Sequence, residues 1–171
     1  LALILGLIQS EDVYRELTEL LRLPDLMKSV LADPDKIKAY AETWAPTRRD
    51  WAIVGSGPTR AAADEIRIKL SELCYKSIAT DYIEDKKHID LSSEPLTLIC
   101  AAGLPLMALK DAVKEVAIFK SHKSVPIVIT TEGFTAFEPY AAGVVYVPKT
   151  SEAASVLLNT LVGHLWGYFC A

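Results

Sequence analysis

Two hydrophobic rhythms divide this chain. Through residues 1–46, Leu3, Leu7, Val13, Leu17, Leu20 and Leu21 recur at near-helical spacing, which predicts a helical region. Pro24 and Pro34 are expected to break and restart the helix. Asp33-Pro34 reads as an N-cap with proline in the first turn. Lys36, Lys38 and Glu42 keep one side of that third helix polar. From Trp51 the period changes. Short, continuously apolar runs appear at 51–55, 77–80, 96–101, 126–130 and 144–147. Runs of that length, rich in Ile and Val and bounded by turn residues, predict strands buried on both faces, as in parallel sheets. Helical patterns at 59–75, 104–122 and 151–169 separate them. The alternation predicts an α/β fold: a three-layer, doubly wound, five-stranded parallel sheet preceded by a helical arm. The expected division is an arm at 1–46 and an α/β domain at 47–171.

Composition narrows the class without supplying a function. The 171 residues are 51% apolar and 23% charged, with eight Gly and nine Pro, a globular profile rather than a disordered one. The formal net charge of −4 argues against nonspecific nucleic-acid binding, which needs a basic surface. The apolar run at residues 1–8 is too short to span a bilayer, and no membrane association is expected. Cys74, Cys100 and Cys170 form no CxxC pair; the first two read as small buried hydrophobes, and a reduced, cytoplasmic setting is expected. The chain starts on Leu1, inside an apolar helical pattern, and so reads as part of a longer polypeptide.

Three places could carry chemistry. The turn Val54-Gly55-Ser56-Gly57-Pro58-Thr59 joins the first strand to a helix. It suits either a ligand at the strand's carboxyl end or simple turn geometry. On the following helix, Glu65, Lys69 and Glu72 share one face within roughly 60° of arc, beside an apolar stripe of Ala62, Ile66, Leu70 and Leu73. The row reads either as a solvated charge ladder or as a semi-buried carboxylate serving as a general base with a lysine beside it. The charged stretch 81–93 holds Glu84, Asp85, Lys86, Lys87, His88 and Asp90. It is a short helix or a functional loop, and His88 is either solvated or an acid–base group. His122 ends a helix, where a cation suits the dipole, and His164 reads as a packed core residue. No His, Cys and carboxylate set stands at metal-ligand spacing; neither metal nor cofactor is expected.

The chain resembles the sugar isomerase (SIS) domain family, and in particular the second SIS half of glucosamine-6-phosphate synthase, the isomerising glutamine–fructose-6-phosphate aminotransferase. The resemblance rests on Ile53-Val54-Gly55-Ser56-Gly57, on Glu65…Lys69…Glu72-Leu73-Cys74-Tyr75, and on Pro95-Leu96-Thr97-Leu98-Ile99. It implies a flavodoxin-like strand order. Glu72 would be the base that moves a proton between C1 and C2 of a sugar phosphate, with Lys69 beside it. Glu65, Gly55, Ser56, Gly57, Ser93 and His88 would contribute to substrate binding. The resemblance also implies a homodimer, and a preceding SIS half and glutaminase domain elsewhere in a longer chain. Residues 1–21 look like the last helix of that preceding half, and 23–45 like linker helices.

Two positions depart from the family pattern. Ser93 stands where the family has a histidine that opens the sugar ring from the partner subunit, and the loop before it is longer; His88 is the candidate replacement. Ala101-Ala102-Gly103-Leu104-Pro105 matches the first half's phosphate loop but lacks its hydroxyls. Lys69, Lys86 and Lys87 are expected to form a local basic group near an anionic substrate. A non-catalytic sugar-phosphate-binding or scaffolding module is the alternative reading.

Overall fold

The computed structural model describes residues 2–8, 13–88 and 93–171. Five parallel strands form one sheet: β1 (Trp51–Gly55), β2 (Ala79–Asp81), β3 (Leu96–Cys100), β4 (Val125–Thr131) and β5 (Gly143–Val147). Their order is β2-β1-β3-β4-β5, the flavodoxin-like order. Around them lie α1 (Ala2–Ile8), α2 (Tyr14–Ala32), α3 (Asp35–Trp44), α4 (Thr59–Cys74), α5 (Leu106–Ser121) and α6 (Glu152–Cys170).

Strand register separates the two faces of the sheet. Ile53, Leu98 and Ile127 stand side by side across β1, β3 and β4. They bury against Ile66 and Leu70 of α4 and Leu158, Val162 and Trp166 of α6. Their chain neighbours Val54, Ile99 and Val128 turn the other way, onto Leu109, Val116 and Phe119 of α5. Both faces are covered, which is why these strands are apolar throughout rather than alternating. Val30 of α2 and Ile37 and Ala41 of α3 are buried in the same core as α4 and α6.

Local expectations needed three corrections. Pro24 does not break the helix: α2 runs through it from Tyr14 to Ala32. An interior proline costs an isolated helix about 3 kcal/mol; here Leu23, Leu26 and Met27 around it pack on the core and hold the helix together. Asp33 closes α2 instead of capping α3. Pro34 takes the cap position, and its carbonyl accepts from the Lys38 amide at 2.9 Å. The second strand begins at Ala79 rather than at 77, and is a three-residue edge strand.

The stretch after β2 contains a short 3-10 turn, Lys86–His88. Ile83 is buried among the α5-side residues. Asp90 and Ser92 of the predicted charged loop lie outside the described residues.

Candidate functional site

In this strand order, β1 and β3 send their following helices to opposite faces, so a crevice opens at their carboxyl ends. The turn after β1 is built by short-range constraints. A Cβ on Gly55 would fall 2.4 Å from the Thr59 carbonyl oxygen, so only glycine lets α4 start this close to the strand. Gly57 has φ +54°, a left-handed conformation that glycine adopts without strain. Thr59 locks the turn: its buried hydroxyl donates to the Cys100 carbonyl at 2.6 Å and accepts from the Ser56 amide at 3.1 Å. The Ser56 hydroxyl donates to Glu84 and accepts from the Ile83 amide at 3.2 Å.

A cavity of about 290 Å³ sits here, lined by Ser56, Glu84, Leu104, Asp111 and Glu115 among others. Its ionisable lining is acidic. Two of its carboxylates are paired with cations: Glu115 with Lys87, and Asp111 with Lys114 at 2.8 Å. Among the described residues Glu84 is the lining carboxylate without an ion pair, and no cation lines the cavity to offer a phosphate a counter-charge. The sequence reading missed Asp111 and Glu115; their i, i+4 spacing in the middle of α5 was the available signal.

The Glu65, Lys69 and Glu72 row lies on α4, on the other side of the sheet from α5. Lys69 Nζ stands 3.1 Å from Glu72 Oε2, and that hydrogen bond holds the lysine above the usual ammonium range. Glu72 is not semi-buried, since 60% of its side chain is exposed. Leu73, expected in the apolar stripe, is also 41% exposed, and Ala63 is buried in the stripe instead. Glu65 meets α6, where its Oε1 lies 3.5 Å from His164 Nε2. His164 is therefore not a packed core residue but a half-exposed partner of this row. Helix α4 ends on Tyr75, which takes a left-handed conformation (φ 52°) with its side chain 95% exposed.

The other predicted residues lie elsewhere. His88 is exposed in the 3-10 turn, its amide donating to the Asp85 carbonyl at 2.9 Å. Ser93 lines a small cavity with Asp50, Ser77 and Lys86 at the amino ends of the strands. The lysines do not form one group. Lys69 pairs with Glu72 on α4, Lys87 with Glu115 on α5, and Lys86 is buried. Thus the turn residues Gly55, Ser56 and Gly57 join Glu84, while Glu65, Lys69 and Glu72 join His164.

Cys100 is fully buried, and desolvation pushes its thiol well up. Cys74 and Cys170 are partly buried at the ends of α4 and α6. Burial first of all, and then the neighbouring Cys74, pushes the Cys170 thiol up to about 12. Among the described residues, no cluster of three metal-ligating side chains occurs, and no helix is long and apolar enough to cross a membrane.

The chain is similar to curated isomerising glutamine–fructose-6-phosphate aminotransferases. The Mycolicibacterium smegmatis protein is 30% identical over 156 residues, covering 88% of this chain but 25% of the relative. The chain therefore spans about a quarter of the length of that relative. Among solved structures, the C-terminal domain of glucosamine-fructose-6-phosphate aminotransferase from Francisella tularensis superposes with a TM-score of 0.76. It is 16% identical and covers 90% of this chain and 43% of that one. The Vibrio vulnificus NanR protein complexed with ManNAc-6P superposes at 0.70 with 11% identity, over 99% of this chain and 66% of that one. No protein-family model matches. The chain has the fold of a sugar isomerase domain and resembles a part of these aminotransferases, as its motifs implied.

Proposed function

We propose that this chain is the C-terminal SIS half of a glucosamine-6-phosphate synthase-like protein, binding a phosphosugar and contributing to ketose–aldose isomerisation and amination of fructose 6-phosphate. The observation that carries the reading is the Glu65, Lys69 and Glu72 row, on one face of α4 in a chain similar to these enzymes over 88% of its length. Glu72 carries the proton between C1 and C2. Its carboxylate is open to solvent, which suits a base that reaches a substrate held by another half. Lys69, kept cationic by Glu72, neutralises the carboxylate in the resting state and offers a donor to a substrate oxygen as the proton moves. Glu65, with His164 beside it, and the Gly55-Ser56-Gly57 turn, Ser93 and His88 serve substrate binding in this reading.

On this reading residues 1–46 link a preceding SIS half to the domain at 47–171, and the full protein is a cytoplasmic homodimer carrying a glutaminase domain. The acidic lining at Ser56 accords with a phosphate held outside this chain. The second reading, a non-catalytic phosphosugar-binding or scaffolding module, is favoured by Ser93 at the position of the family's ring-opening histidine. The test is Glu72→Gln in the full-length protein, assayed for fructose 6-phosphate isomerisation. A loss of at least ~100-fold, the usual scale for removing a general base, is expected with substrate binding retained. Unchanged isomerisation would rule out Glu72 as the base. Binding without isomerisation in the unsubstituted protein would favour the second reading.

A further inference from the structure

Two pockets of opposite charge lie on opposite edges of the sheet. At the carboxyl edge the cavity beside Ser56 is lined by Glu84, Asp111 and Glu115. At the amino edge a groove of about 740 Å³ runs between the ends of α3, α4 and α6, and its ionisable lining is mostly basic: Arg48, Arg49 and Lys76, with Glu42. Glu42 is already paired with Lys38 at 3.9 Å. Among the described residues, no carboxylate forms an ion pair with any of the three cations.

Their hydrogen bonds account for only part of them. Lys76 Nζ donates to the carbonyls of Arg49 at 3.1 Å and Arg48 at 3.4 Å, and lies 4.7 Å from the Trp51 ring centroid. Arg48 Nη1 donates to the Thr47 carbonyl at 3.1 Å. The carboxyl-terminal ends of three helices explain why cations are tolerated here. They leave the Arg48 Nε, which is buried without a partner, unexplained. A buried guanidinium N–H without an acceptor is costly; it is closed off from the groove as the side chain stands, and a rotation of Arg48 onto a bound oxyanion would give it an acceptor. The rest of the wall includes Trp51, Phe169, Ala41 and Ala45, so an organic body has apolar surface to lie on. The volume falls in the usual range for small-ligand clefts.

We propose that this groove binds the phosphate of a phosphorylated small molecule through Arg48, Arg49 and Lys76. Guanidinium groups match a phosphate's oxygens with charge-assisted hydrogen bonds, and Lys76 is held over Trp51 as a point charge beside them. The site is independent of the Glu72 reading, since Glu72 does not line it and isomerisation is not needed to observe it.

The test is an NMR titration of the full chain with inorganic phosphate, at ionic strength held constant with chloride. Saturable shifts are expected at the Trp51 indole N–H and the amides of residues 74–76, with the Ser56 and Gly57 amides unmoved. Arg48→Gln should weaken the apparent affinity by about tenfold, one charge-assisted contact's worth. Arg49→Gln, whose side chain is exposed and whose loss spares the fold, should weaken it in the same direction. Linear, non-saturating shifts, an affinity in both variants equal to that of the unsubstituted protein, or shifts confined to Ser56 and Gly57 would each overturn the proposal. None of these outcomes bears on isomerisation by the full-length protein, so this test and the Glu72→Gln test fail separately.

Discussion

Gly163 of α6 lies so close to Ile66 of α4 that a Cβ on the glycine would stand 2.3 Å from Ile66 Cγ1. Ile66 is fully buried and cannot swing aside. One helical turn on, Gly167 meets Leu70 in the same way, at 2.7 Å. The two helices thus pack side by side at glycine-limited distance, and this packing holds the Glu65, Lys69 and Glu72 row beside His164.

Gly163→Ala should therefore destabilise the protein. Alanine gains about 1 kcal/mol of helix propensity, but overpacking a tight core costs about 1–3 kcal/mol, so a net loss of up to about 2 kcal/mol is expected by chemical denaturation. In an Ile66→Ala background the same substitution should cost less, because the clashing side chain is gone and the two sites are coupled. Equal costs in both backgrounds would show that the contact does not set the spacing.

Thr59→Val keeps shape and removes the hydroxyl that joins the Ser56 turn to the Cys100 carbonyl. The carbonyl and the Ser56 amide then lose a partner in a dry setting, at about 1–3 kcal/mol. Urea unfolding should show a lower midpoint at unchanged slope.

Tyr75 holds a left-handed conformation with its ring almost fully exposed. A non-glycine residue pays about 1–2 kcal/mol there, and an exposed ring recovers little. Tyr75→Gly should raise stability by about 1 kcal/mol in thermal unfolding. A decrease would mean the ring makes a contact that outweighs the backbone strain.

The Tyr146 hydroxyl donates to Glu138 Oε1 at 2.7 Å. Desolvation first, and then that carboxylate, push its pKa up to about 12. A raised pKa favours the protonated native form. Its contribution to stability is thus present in full below the unfolded tyrosine value of about 10 and fades as pH climbs towards 12. Tyr146→Phe should abolish that alkaline limb of the stability profile and cost about 1 kcal/mol near neutrality, where the hydrogen bond to Glu138 is intact.

The five strands and three domain helices were legible because burial on both faces writes itself as unbroken apolar runs, and strand–helix alternation then leaves few topologies. The glycine turn and the Glu65, Lys69 and Glu72 row were legible too, since period alone puts those three residues on one face. Other features depend on neighbours far along the chain. Pro24 survives inside α2 because of the core beneath it. His164 is read correctly only once Glu65 stands opposite. Lys69, Lys86 and Lys87 look alike in sequence, yet a sheet divides the first from the last.

The layered α/β architecture and the family resemblance follow from the order of residues alone, because local period and motif spacing are properties of neighbouring residues. Only the tertiary structure decided the charge of the cavities. Glu84, after β2, meets Asp111 and Glu115 of α5 at one edge of the sheet, and Arg48 and Arg49, before β1, meet Lys76, after α4, at the other. Coulomb interactions depend on distance through space, and the fold alone sets those distances.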